Sequence, residues 1–129
     1  METNYSRQKS NCFAYFKVNK TDQQAISTGR FTIFDFISNS FHFSFSKKQL
    51  AIKVLESLKE KPKAFKELVE ELKASKSSLY LVVTALKNSG LIESKGKNKP
   101  FRLSQGFSQS LTSYASWWIN WISIINSSK

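Results

Sequence analysis

Three short helical stripes, parted by a proline and a polar break and closed by a glycine, constrain this chain more than any other feature. Ala51, Val54, Leu55 and Leu58 stand at i, i+3, i+4 and i+7, the repeat that gathers side chains on one helix face. Pro62 ends that helix, because proline lacks the N–H and disfavours a helical residue before it. Phe65, Leu68, Val69 and Leu72 form a second stripe, with Glu67, Glu70, Glu71 and Lys73 facing outward. After a polar break at residues 74–77, Leu79, Val83 and Leu86 predict a third helix over 77–88, with Leu81 and Val82 partly exposed. Ser75 or Ser77 caps it, and Gly90 supplies the left-handed turn that ends it. Residues 91–94 and 101–104 then read as two short strands around the loop Lys95-Gly96-Lys97-Asn98-Lys99-Pro100. The predicted fold class is mainly α with a small β-hairpin.

Charge divides the chain in the same places. Residues 47–102 carry 20 of its 29 charges, and none falls between Leu103 and Ser128. The expected organisation is therefore an N-terminal extension over 1–46, a charged domain over 47–106 and an apolar helix over 107–129. Twenty Lys and Arg against nine Asp and Glu give a net charge of +11. Such an excess attracts polyanions, nucleic acid first and an anionic membrane surface second.

The runs Phe65-Lys66-Glu67-Leu68-Val69-Glu70-Glu71-Leu72, Ser75-Lys76-Ser77-Ser78-Leu79-Tyr80 and Leu86-Lys87-Asn88-Ser89-Gly90-Leu91-Ile92-Glu93 resemble the winged helix-turn-helix of MarR- and ArsR-type transcription regulators. Leu103-Ser104-Gln105-Gly106 resembles the segment that closes the wing and opens the next helix in those families. The likeness covers about 60 residues, and the order and spacing of its pieces carry it. It implies a dimer that binds double-stranded DNA, with the third helix in the major groove and the second across the backbone. On this sequence the implied contacts are Lys76, Ser77, Ser78, Tyr80, Thr84 and Lys87 on the helix, and Lys95, Lys97, Lys99 and Arg102 on the wing. Hydroxyls can bond phosphates or base edges, and the wing cations neutralise phosphates, with Arg102 or a wing lysine able to enter the minor groove. The third helix has no arginine and no glutamine, the strongest readers of guanine and adenine. Winged helices that join protein assemblies, or package DNA without sequence preference, are therefore the alternatives to a sequence-reading regulator.

The two ends read differently. Phe107, Leu111, Tyr114, Trp118, Trp121, Ile122 and Ile125 recur at three- and four-residue steps and predict one helix over 107–126. In the resembling families the helix after the wing builds the dimer, so Leu111, Tyr114, Trp118, Trp121, Ile122 and Ile125 are the expected homodimer seam. Packing against the N-terminal zone and attachment to a membrane surface are alternatives, the last weakened by the lack of a basic face. Upstream, residues 12–18 and 31–45 look extended. Phe41, Phe43 and Phe45 alternate with His42, Ser44 and Ser46 at the period of a half-buried strand, with a turn near Ser38-Asn39-Ser40. The extension is thus expected to be extended or poorly ordered.

Catalysis finds few candidates. His42 is the sole histidine, and the acids fall at solvated helix faces or strand ends without metal-ligand spacing. Cys12 is the sole cysteine, which excludes an intramolecular disulfide and a cysteine-based zinc site. No glycine-rich phosphate loop forms from four glycines. The expectation is no enzyme, no cofactor and no metal. The polar first residues contain no apolar leader, which predicts a cytoplasmic protein.

Overall fold

The computed structural model describes residues 20–127, with side chains from 23 to 124. Among these residues it is mainly helical, with six helices and one two-stranded antiparallel hairpin. The helices are α1 (Lys20–Ser27), α2 (Ile33–Ser40), α3 (Phe45–Glu60), α4 (Phe65–Leu72), α5 (Lys76–Asn88) and α6 (Gly106–Ser127). β1 (Ile92–Ser94) and β2 (Phe101–Leu103) lie between α5 and α6, with Glu93 opposite Arg102.

α3 is the central element, packed against α2, α4, α5 and β2. Its stripe of Ala51, Val54, Leu55 and Leu58 meets Leu68 of α4 and Leu79, Val82, Val83 and Leu86 of α5 in one core. Val82 is fully buried, contrary to the expectation of partial exposure, whereas Leu81 is 49% exposed. The reason is spacing: 79, 82, 83 and 86 complete an i, i+3, i+4, i+7 face, and 81 stands off it.

The extended reading of residues 31–45 is corrected. Residues 33–40 are helical and end where a turn of a hairpin was expected, at Ser38-Asn39-Ser40. A reciprocal cap starts this helix: the Asp35 N–H donates to Thr32 Oγ1 at 3.1 Å, and the Thr32 N–H donates to Asp35 Oδ2 at 3.0 Å. Nor do Phe41, Phe43 and Phe45 share a strand face. Phe41 is buried, Phe43 stacks on it at 5.0 Å, and Phe45 opens α3 behind the Ser44 cap. Ile37 and Phe41 belong to the same core as α3–α5, so the core reaches across the charge boundary at Lys47. His42 is exposed beside them. Cys12 and the run 12–18 lie outside the described residues.

The hairpin is tied down twice at its base. Lys63 pairs with Phe101 through both backbone bonds, Lys63 N–H to Phe101 O at 3.1 Å and Phe101 N–H to Lys63 O at 2.8 Å. The side chain of Lys63, 5% exposed, donates to Glu71 Oε1 at 2.6 Å, Ser57 Oγ at 2.7 Å and Glu60 Oε1 at 3.2 Å. The ammonium thus clamps α3 to α4 with all three of its N–H donors satisfied, while the backbone of the same residue holds the hairpin. The Glu71 carboxylate holds Lys63 above the ordinary lysine value against the effect of burial, and Glu60 adds to it. Glu71 is in turn held below the ordinary carboxylate range by Lys63 and then by Ser57.

α6 leaves the body after its first turns. Gly90 O accepts from the Phe107 N–H at 2.9 Å, and Phe107 packs edge-on against Phe36 with ring centroids 5.4 Å apart. From Thr112 to Ile124 every residue is exposed. Trp118 and Trp121 stack on each other at 5.3 Å rather than on the core. Among the described residues, α6 meets the N-terminal zone where Phe107 packs on Phe36. The side chain of Ile125 lies outside the described residues. Among the described residues no helix is long and apolar enough to cross a membrane.

Candidate nucleic-acid interface

The outward face of α5, the first turn of α4 and the hairpin loop enclose a groove of about 590 Å³. Each wall follows from a local choice in the chain. α5 starts where Ser75 Oγ accepts the Ser78 N–H at 3.2 Å, and turning Leu79, Val83 and Leu86 inward leaves Tyr80, Thr84 and Lys87 along the groove. α4 starts where Glu67 Oε1 accepts the Ala64 N–H at 2.8 Å, which places Lys66 on the first turn. The hairpin loop is braced from within. Ser94 Oγ donates to Gly96 O at 2.8 Å, and Asn98 takes the left-handed conformation, φ 62°, that asparagine tolerates.

Lys66, Lys87, Lys97 and Lys99 therefore line one groove together with Tyr80 and Thr84, and among the described residues no acid lines it. The acids lie elsewhere, with Glu67, Glu70 and Glu71 around a separate depression beside Lys61 and Lys63. Four cations without a counter-carboxylate, over a floor of Phe65, Val83 and Phe101, make an electropositive trough with an apolar base. Tyr80 is 63% exposed, so its hydroxyl is presented to a ligand rather than held in the core.

Of the ten contact residues expected from sequence, Tyr80, Thr84, Lys87, Lys97 and Lys99 come together here. Lys76 and Ser77 lie exposed at the start of α5, and Lys95 lies exposed on the loop, none of them lining the groove. Ser78 instead lines a second depression with Lys47, Lys53 and Lys73. Arg102 donates to Glu93 Oε2 at 2.8 Å across the hairpin, an exposed pair that holds the guanidinium against the strand. Ser104 first, and then Arg102, hold Glu93 below the ordinary carboxylate range. Lys66 was not among the expected residues. Its signal is weak in sequence, because it sits in an acid-rich stretch and reaches the trough only through the packing of α4 beside the hairpin.

No three His, Cys, Asp or Glu side chains converge as metal ligands among the described residues. A family model described as an archaeal family matches residues 48–126. The chain belongs to that archaeal family. The segment shared with the family runs from within α3 nearly to the end of α6, so it holds both the lysine trough and the tryptophan helix. No curated protein and no solved structure matches the chain.

Proposed function

We propose that this member of the archaeal family is a winged helix-turn-helix regulator that binds double-stranded DNA through the α5–hairpin trough and pairs through α6. α5 enters the major groove with Tyr80 and Thr84 toward base edges or sugar, and the hairpin acts as the wing on the backbone. Lys66, Lys87, Lys97 and Lys99 neutralise phosphates along that path. The observation that carries the reading is the gathering of these four lysines with Tyr80 and Thr84 in one acid-free trough. The resemblance of residues 47–106 to MarR- and ArsR-type regulators supports it independently.

The test is fluorescence anisotropy of a mixed-sequence duplex across a salt series. Each phosphate neutralised adds about 0.9 to the slope of log K against log salt. Substituting Lys66, Lys87, Lys97 and Lys99 by alanine is expected to flatten that slope by about 3.6. Between 50 and 200 mM salt, four such contacts account for roughly a 150-fold loss of affinity. Absence of binding at 50 mM salt overturns the proposal and turns attention to protein partners, for which exposed Leu81 on α5 is a ready contact. Selection from random duplexes then separates a sequence-reading regulator from a packaging protein, which shows no preference.

A further inference from the structure

α6 presents more apolar surface than a pair of helices can cover. Leu111, Tyr114, Trp118 and Trp121 succeed one another at steps of three, four and three, the seam spacing of a heptad repeat. In a two-stranded coil the positions flanking that seam are wet and usually charged. Over residues 117–124 of α6 the flanks are apolar too: Trp117 on one side, 59% exposed, and Ile122 on the other, 36% exposed. There the apolar arc spans about half the helix circumference, wider than the narrow seam of a pair and close to the face of a bundle helix. Three indoles within five residues also fill a wider core than two helices at about 8–10 Å leave between them.

Charge names the occupant. Copies carrying +11 repel one another over most of their surface, yet no charge falls between Leu103 and Ser128. α6 is where copies of this chain can meet without that repulsion. Its area suffices as well. Aromatic side chains bury about 150–250 Å² each, so Tyr114, Trp117, Trp118, Trp121, Ile122 and Ile124, exposed by 36–72%, offer on the order of 800 Å² per copy. That equals one partner's share of a standard interface, about 800 Å².

We infer that four copies assemble through α6 into a four-helix bundle, two pairs closing back to back with dihedral symmetry. The inference rests on self-association through α6 and not on DNA binding. Dihedral tetramers are the usual closed assembly beyond the dimer, and each helix then covers both flanks of its neighbours. None of the residues lining the trough lies on α6. The tetramer therefore presents its troughs outside the bundle, and it can hold two DNA segments at once.

Light scattering coupled to gel filtration of the full chain tests this. The expected mass is four times the 14.8 kDa of the chain. A Trp117→Gln/Ile122→Gln variant, altered only on the flanks, is expected to fall to twice that mass with its helical circular dichroism unchanged. A wild type that runs as a dimer overturns the tetramer while leaving pairing through α6 standing. A monomer that floats with neutral lipid vesicles overturns self-association altogether. A flank variant that stays tetrameric overturns the assignment to Trp117 and Ile122. Anisotropy with a duplex, run on the same samples, reports DNA binding separately. The flank variant is expected to bind the duplex but to lose the ability to retain a second, immobilised duplex.

Discussion

Replacing Gly90 by alanine probes the junction that joins α5 to α6, and Gly29 provides its control. Both glycines are left-handed, with φ +80° at Gly90 and +77° at Gly29. They differ in what a Cβ would meet. At Gly29 there is nothing within 4 Å. At Gly90 the added carbon would stand 2.8 Å from the Phe107 nitrogen, 3.1 Å from the Gly106 carbonyl carbon and 3.3 Å from Phe107 Cα. These are backbone atoms, fixed by the Phe107 N–H donating to Gly90 O, so they cannot swing aside as a side chain would. The left-handed conformation costs an L-residue about 1–2 kcal/mol, offset by about 0.4–1 kcal/mol because alanine restricts the unfolded chain. Gly29→Ala is therefore expected to lose about 0–1.6 kcal/mol, centred on about 0.8 kcal/mol. Forcing the backbone apart at Gly90 adds a term on the order of 1–3 kcal/mol, for a total loss centred on about 2.8 kcal/mol. A domain of about 100 residues loses about 4–8 °C in Tm per kcal/mol. Thermal melts followed by circular dichroism should then drop by roughly 11–22 °C for Gly90→Ala and by about 3–6 °C for Gly29→Ala. Equal, small losses at both positions would refute the close contact between Gly90 and the start of α6.

Other substitutions check other parts of the account. Lys73 ends α4 with φ 53°, a conformation glycine adopts freely, so Lys73→Gly is expected to raise stability by about 0.5–1 kcal/mol in urea titration. Ile37 on α2 is fully buried against α3, and Ile37→Ala is expected to lower stability by about 2–5 kcal/mol, whereas a free N-terminal appendage would give almost none. Glu71 and Glu93 are both held below the ordinary carboxylate range in the fold, Glu71 chiefly by Lys63 and Glu93 chiefly by Ser104. A depressed carboxylate stabilises the fold above its unfolded value and loses that contribution as pH falls. The urea midpoint should therefore decline below about pH 4.3, and decline less steeply in Glu71→Gln/Glu93→Gln than in the wild type.

The stripes that build α3, α4 and α5 were legible because each follows the helical repeat over two turns and ends at a breaker. α2 was not. Over 41–46 the alternation of phenylalanine with polar residues suggested a strand, yet the Thr32–Asp35 spacing of a capping box stood in the sequence and marks the helix start. The core decided the matter, since the helix places Ile37 against α3 and the turn beyond it places Phe41 there too. Lys63 was invisible for a different reason. Beside Pro62 and among other lysines it reads as a solvated charge, and its partner Glu71 is eight residues away on α4. Only the packing of α4 onto α3 brings the pair together. The trough was half legible: Tyr80, Thr84 and Lys87 follow from the inward face of α5, and Lys97 and Lys99 from the hairpin loop. Lys66 and the absence of acids depend on how α4 meets the hairpin, which no linear pattern encodes.

The most direct test of the central claim is to map ¹H–¹⁵N correlations of the full chain while titrating a mixed-sequence duplex at low salt. The amides of Lys66, Tyr80, Thr84, Lys87, Gly96 and Lys99 are expected to shift together, while the three indole N–H signals of Trp117, Trp118 and Trp121 stay in place. Shifts confined to the α6 indoles, or to the acid-bearing face around Glu67, Glu70 and Glu71, would contradict it.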